Sequence, residues 1–207
     1  MVRIVAISDT HTYHDLLVMP PGDILVVAGD FTSTGTVQEV MAFNEWLGKL
    51  SYLHKIVVGG NHDWLFQNNS GLARDLLSNA YYLQDSEVTV MGLRFYGSPW
   101  QPDFCDWAFN KARGQELQYV WDKIPSPLDV LITHGPPHNI LDEVAPYDDV
   151  GDEELLFAVR RVKPRLHIFG HVHEAHGRLE KDGTIFVNVS VLDGAYHMTW
   201  QPTVIDL

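Results

Sequence analysis

Short apolar, β-branched runs punctuate the chain at Arg3–Ile7, Ile24–Ala28, Lys55–Val58, Val88–Met91, Leu93–Tyr96, Val130–Thr133, Leu166–Phe169, Thr184–Val187 and Thr203–Ile205. Runs this short, bounded by polar and turn-forming residues, predict strands. Apolar residues at helical spacing lie between several of them. Val37, Val40, Met41, Leu47 and Leu50 predict one helix, and Leu155, Leu156, Val159 and Val162 predict another. Gly71–Asn79 and Gly114–Lys123 predict two shorter helices, the second stopped by Pro125 and Pro127. Strand–helix–strand order followed by later hairpins predicts an α/β fold with partly parallel sheets.

Composition narrows the picture. The 207 residues, 45% of them hydrophobic and with no repeat or low-complexity tract, suit one globular domain spanning 1–207. The first nine residues carry too short an apolar run for a signal-peptide core of about 7–15 residues or a membrane span of about 20. The expectation is therefore a soluble, cytoplasmic protein with no membrane partner. Cys105 is the single cysteine, which excludes an intramolecular disulfide or a zinc site built on paired thiolates. No basic neighbour in sequence activates it as a nucleophile.

The formal charge of −13 repels the phosphates of nucleic acid and anionic lipid, unless bound cations reverse the field locally. The segment Asp142–Glu154 holds seven acids without a Lys or Arg, followed by Arg160, Arg161 and Lys163. Acids at a helix start and bases at its end suit the macrodipole, so this run reads as a solvated helix.

Five polar clusters follow strand candidates directly: Ser8-Asp9-Thr10-His11, Gly29-Asp30-Phe31, Gly59-Gly60-Asn61-His62-Asp63, Thr133-His134-Gly135-Pro136-Pro137 and Gly170-His171-Val172-His173. Ligands of open α/β sheets bind outside the carboxyl ends of the strands, so parallel strands bring all five to one rim. Imidazole, carboxylate and amide oxygen without thiolate suit Mn, Fe or Zn. In Asp9–His11 and His171–His173 the i and i+2 side chains share one side of a locally extended backbone, so each pair faces one small volume. Seven candidate ligands exceed the needs of one ion and suffice for two ions sharing a carboxylate. Glycines at 29, 59, 60, 135 and 170 permit sharp turns and close approach.

These clusters, in this order, resemble the calcineurin-like metallophosphoesterases, whose signature is D-x-H, G-D, G-N-H-D/E, H and G-H-x-H. The stretches 30–60, 83–100 and 133–137 are further similar to the metallophosphoesterase-domain-containing, class III phosphodiesterase-like group. The resemblance implies a four-layer αββα sandwich of two mixed sheets flanked by helices. It implies that Asp9, His11 and His173 hold one divalent metal, that Asn61, His134 and His171 hold a second, and that Asp30 bridges them. It implies hydrolysis of a phosphoester by water that the metals acidify, with His62 stabilising the transition state or protonating the leaving oxygen and Asp63 orienting His62.

The substrate expected from the resemblance is a small phosphodiester or phosphomonoester, a nucleotide or cyclic nucleotide among them, with Mn as the first choice of ion and Fe or Zn behind it. Phosphoprotein phosphatases of the superfamily follow the second motif with an acid and an Arg, whereas this chain has Phe31-Thr32-Ser33-Thr34-Gly35. Some animal members carry Gly at the first His of the last motif; His171 is present here. The competing readings are a nucleotide-binding regulator with low turnover and a nuclease. The missing basic patch disfavours the nuclease and any long nucleic acid.

Among the other histidines, His14, His138 and His176 lie close enough to motif loops to reach substrate, while His54, His167 and His197 read as structural, with His167 a hydrogen-bonded histidine of an edge strand. The expected substrate contacts are Asn61, His62, Trp100 and His138. In the aromatic stretch 98–109, Trp100 is a candidate stacking face for a nucleobase, and Trp107 and Phe109 read as a hydrophobic cluster beneath the loop.

Overall fold

In the computed structural model, which describes residues 1–144 and 150–207, the apolar runs form strands. In chain order these are β1 (Arg3–Ile7), β2 (Ile24–Ala28), β3 (His54–Val58), β4 (Tyr81–Leu83), β5 (Ser86–Val90), β6 (Leu93–Ser98), β7 (Gln101–Pro102), β8 (Asn110–Lys111), β9 (Val130–Thr133), β10 (Leu166–Phe169), β11 (Gly177–Lys181), β12 (Thr184–Asn188) and β13 (Thr203–Asp206). The helices are α1 (Val37–Lys49), α2 (Trp64–Asn68), α3 (Ser70–Leu76), α4 (Gln115–Trp121) and α5 (Glu153–Val162). One sheet has the order β13-β1-β2-β3-β4 and the other β11-β12-β10-β9-β6-β5, while β7 and β8 pair by themselves.

Alternation along the strands explains the layers. In β1, Ile4 and Ala6 point into a core shared with Val130, Ile132, Leu166 and Ile168 of the second sheet. Val5 and Ile7 point the other way, onto Phe43, Trp46 and Leu47 of α1. On the far side of the molecule, Leu131 and Phe169 meet Leu117 and Trp121 of α4 and Leu155 and Val159 of α5. Three apolar layers thus separate four layers of secondary structure, the αββα sandwich. Strands β1 to β4 are mutually parallel, as are β12, β10, β9 and β6. Among the described strands, β13, β11 and β5 pair antiparallel to their neighbours. The backbone bridge at Ser8 and Ser190 lies just past the end of β1, where the site forms. No helix among the described residues is long and apolar enough to cross a membrane.

Several expectations change. His167 lies inside β10, which is paired on both sides, so it belongs to an interior strand of the sheet and not to an edge. Among the described acids of that run, Glu153 and Glu154 enter a helix and Asp142, Glu143 and Asp152 do not. Asp142 and Asp152 are buried, with Asp142 accepting from the amides of Asn139 and Gly151 and Asp152 capping α5 at Glu154. The part of that run at 145–149 lies outside the described residues. Glu153 and Glu154 in the first turn of α5 and Arg160 and Arg161 in its last turn fit the expected helix, whereas buried Asp142 and Asp152 lie outside it.

Candidate metal centre

The sharp turns that leave β1, β2 and β10 are made largely by non-glycine residues. Asp9, His11, Asp30 and His171 have φ of 56°, 40°, 51° and 68°. Left-handed backbone of this kind costs free energy in an L residue and clusters where function holds it. The expected extended backbone through Asp9–His11 and His171–His173 is therefore not what forms. Asp9 and His11 still reach one volume, but His171 and His173 go to two neighbouring ones. One group of donors is Asp9, His11 and His173, a second is Asp30, His134 and His171, and a third, His11, Asp30 and His62, overlaps both.

The distances give the arrangement its detail. His173 Nε2 lies 3.4 Å from Asp9 Oδ1, His134 Nε2 3.3 Å from Asp30 Oδ2, and His11 Nε2 3.8 Å from the same Asp30 oxygen. Asn61 Oδ1 faces two imidazole nitrogens, His134 Nε2 at 2.8 Å and His171 Nδ1 at 2.9 Å. Backbone carbonyls take the other nitrogen of two rings: His134 Nδ1 lies 2.9 Å from the Ala28 oxygen and His173 Nδ1 3.1 Å from that of Asp193. Each ring is thereby turned with Nε2 toward the carboxylates. Asp9 is itself held by the Ser190 hydroxyl at 2.6 Å and the His171 amide at 3.0 Å.

Burial works against charge on Asp9, yet the hydrogen bond and field of His173, with His134 and His11, hold its carboxyl well below the usual range. Asp30 behaves likewise through His134 and His11, and its field raises His134 in return against burial. His171 is pushed down to about 4 by burial and by the neighbouring His134. Two ionised, buried aspartates surrounded by imidazoles, with no Lys or Arg among them, form a donor set for cations.

The calcineurin-like phosphoesterase family profile matches residues 2–175. The chain belongs to that family. Metallophosphoesterase domain-containing protein 1 of Homo sapiens is 47% identical, the match covering 99% of this chain and 71% of the human protein. Two solved structures share the fold. One superposes with a TM-score of 0.71 at 19% identity, covering 90% of this chain and 89% of the other. The other is TT1561 of Thermus thermophilus, with a TM-score of 0.60 at 14% identity over 90% and 88%.

Metal dependence of the family agrees with one atom in particular. His11 Nε2 is buried and has no hydrogen-bond partner, although it faces Asp30. An orphaned, buried ring nitrogen is costly unless something occupies its lone pair, and a cation between these groups would do so.

The remaining family positions fall as follows. His62 is half-buried beside the cluster, its amide bonded to Asp30 Oδ1 at 2.8 Å and its Nδ1 2.7 Å from the Ser33 carbonyl oxygen. Asp63 does not orient the His62 ring. Its carboxylate accepts from the amides of Gly60, Asp30 and Thr32 and from the Thr32 hydroxyl, so it ties the second and third motif loops together. Ser33 is the orienting group. Trp100 lines the cavity with its indole N–H bonded to Asp85 at 3.0 Å.

His138 sits beside Asp142, outside the residues that line the cavity. His14 is packed under Phe43 and Trp46, and His176 lies flat on Trp200 with ring centroids 4.8 Å apart. Sequence reasoning missed three aromatic neighbours. Trp107 stacks on His62, Phe104 meets the edge of His171, and Tyr196 lies 5.0 Å and 5.1 Å from the His11 and His173 rings. The clustering of aromatics at 98–109 was the available signal for Trp107 and Phe104; Tyr196 had none.

Proposed function

We propose that the chain is a two-metal phosphoester hydrolase for small phosphodiesters or phosphomonoesters, nucleotides and cyclic nucleotides included, with manganese its preferred ion ahead of iron or zinc. The observation that carries this reading is Asp30. Its carboxylate belongs both to the His11 side of the cluster and to the His134–His171 side, as a ligand shared by two cations must. Asp9, His11 and His173 would hold one ion, and Asn61, His134 and His171 the other. Bound there, the ions would acidify water and neutralise phosphoryl oxygens.

The chain's own groups supply orientation and a proton. Ala28 and Asp193 carbonyls fix the rings of His134 and His173, and Asp63 locks the loops that carry Asp30 and Asn61. With Nδ1 of His62 taken by Ser33, its Nε2 is the nitrogen left to protonate a leaving oxygen. The adjoining cavity of ≈ 660 Å³ has room for the organic part of an ester beside its phosphate, and its walls include Trp100, Phe104, Trp107 and Tyr196. The net charge of −13 disfavours long nucleic acid as substrate.

The test is a steady-state screen of phosphomono- and diesters with Mn, Fe, Zn, Ni and Mg. Manganese-stimulated turnover of small esters is expected. Asp30→Asn should lose nearly all bound metal in elemental analysis along with activity. Two equivalents persisting in that variant would refute the bridging role.

A further inference from the structure

We propose that Trp107 is a positioning residue: it clamps the imidazole of His62 so that the one free ring nitrogen stays directed at the leaving group. This rests on the hydrolase reading above. The His62 ring is fixed at three places. Nδ1 is 2.7 Å from the Ser33 carbonyl oxygen, the ring packs at right angles to that of His11 with centroids 4.5 Å apart at 85°, and the Trp107 indole stacks on it at 4.1 Å and 29°. The hydrogen bond alone leaves the ring free to rock about the line from Nδ1 to the carbonyl. A flat surface packed on the face removes that motion. Stacking at this distance is a favourable aromatic arrangement, not an incidental contact.

The loop that delivers Trp107 is built for a fixed outcome. Its ends are joined by the pairing of β7 with β8. Cys105 and Asp106 adopt φ of 50° and 48°, two consecutive left-handed residues that turn the chain back just before the indole. On the other side Ala108 and Phe109 are wholly buried. The Ala108 amide donates to the Asn61 carbonyl at 3.1 Å, and the Phe109 amide donates to the Gln67 side chain. Trp107 is thus tethered through its neighbour to the residue preceding His62, so the two rings share one frame. It lines the cavity at the metal cluster, which means that its loss changes the site and not the core.

A clamp on a proton donor matters most when the leaving oxygen needs the proton. Two esters separate this from binding: a diester with a nitrophenolate leaving group, which departs well unprotonated, and one with an alkoxide leaving group, which does not. Trp107→Leu should lower kcat about tenfold or more on the alkyl ester and only a few-fold on the nitrophenyl ester, with KM within about threefold on both. Trp107→Phe, which keeps a flat face, should recover most of the loss.

An activity-free measurement runs beside the kinetics. In histidine-labelled protein, the ring protons of His62, identified by their absence in His62→Ala, should lie upfield in the wild type because of the indole ring current. They should move downfield in Trp107→Leu but not in Trp107→Phe to the same extent, while the His176 signals, stacked on Trp200, stay in place. A rise in KM with kcat intact on both esters would make Trp107 a substrate-binding wall and overturn the clamp. Unshifted His62 resonances would overturn it as well. A wild-type protein that turns over neither ester sinks the hydrolase reading instead, and the resonances then decide the placement of His62 on their own.

Discussion

At Gly29 the backbone runs at φ +101°, and a methyl group built there would sit 2.3 Å from His134 Nδ1. At Gly60 it would sit 2.3 Å from Asp30 Oδ1, and at Gly170 2.2 Å from Asp9 Oδ2. These glycines let the chain pass against the donor groups, as their positions after strands implied. Gly135 does not, since an added methyl would find its nearest neighbour at an ordinary 3.7 Å. Gly71, in α3, would meet nothing within 4 Å. The contrast gives a paired prediction. Gly29→Ala should cost about 2 kcal/mol or more in urea unfolding and weaken metal binding, because backbone strain and collision with the His134 ring add. Gly71→Ala should gain about 0.4–1 kcal/mol by stiffening the unfolded chain. Equal effects at the two sites would show that close approach is not what Gly29 serves. That these Asp, His and Asn residues would meet could be read from the sequence at this scale. The backbone at Asp9, Asp30 and His171 could not, because a left-handed non-glycine residue leaves no mark in a pattern of apolar positions.

Helix α1 shows how an element reaches into the site. Thr36 and Glu39 form a reciprocal cap, with the Glu39 amide bonded to the Thr36 hydroxyl and the Glu39 carboxylate returning to the Thr36 amide at 2.9 Å. The same carboxylate also accepts from the amides of Ser33 and Thr34 and from the Thr34 hydroxyl. It therefore shapes the loop that offers the Ser33 carbonyl to His62. Glu39→Ala should lower stability by about 1 kcal/mol, as loss of a cap does. It should also reduce kcat with little change in KM, read by denaturant titration and steady-state kinetics on the same preparation. Lost stability with unchanged kcat would confine Glu39 to the helix.

Legibility at this scale follows the strength of the pattern. The central strands and α1 and α5 stood out because their apolar faces are buried on packed neighbours. Strand β4, Tyr-Tyr-Leu, is too short to show a period, and β11 reads Gly-Arg-Leu-Glu-Lys on an exposed edge and carries no apolar signature. Helix α2 is a five-residue turn after Asp63, too short to show a period. Trp107 was assigned to a hydrophobic cluster because composition cannot tell a ring beneath a loop from one laid on an imidazole.

Over the whole molecule, the site lies on the seam between the two sheets. Asp9, Asp30 and Asn61 follow β1, β2 and β3, and His134, His171 and His173 follow β9 and β10, so neither sheet could build it alone. Strand order in the sequence implied that convergence. The contribution of Ser190, from the segment after β12, has no sequence signal because it depends on how the sheets meet.

The sandwich also seals two histidines that take no part in the cluster. His14 is pushed down to about 4 by burial, and His167, on the face of β10 that packs beside Phe169 and Phe186, is pushed down to about 3 by burial. Both lie below the value of about 6.5 expected in the unfolded chain. As pH falls from about 6.5 toward those folded values, the unfolded chain takes up protons that the folded chain refuses. Each histidine then erodes stability by up to about 1.4 kcal/mol per pH unit, and neither contributes above that window. His14→Phe and His167→Gln remove this sensitivity. Urea titrations at pH 7.5, 6 and 5 should show the double variant gaining on the wild type as pH drops, with the gap constant above pH 7. Parallel stability curves across the whole range would mean that both rings accept a proton in the folded state.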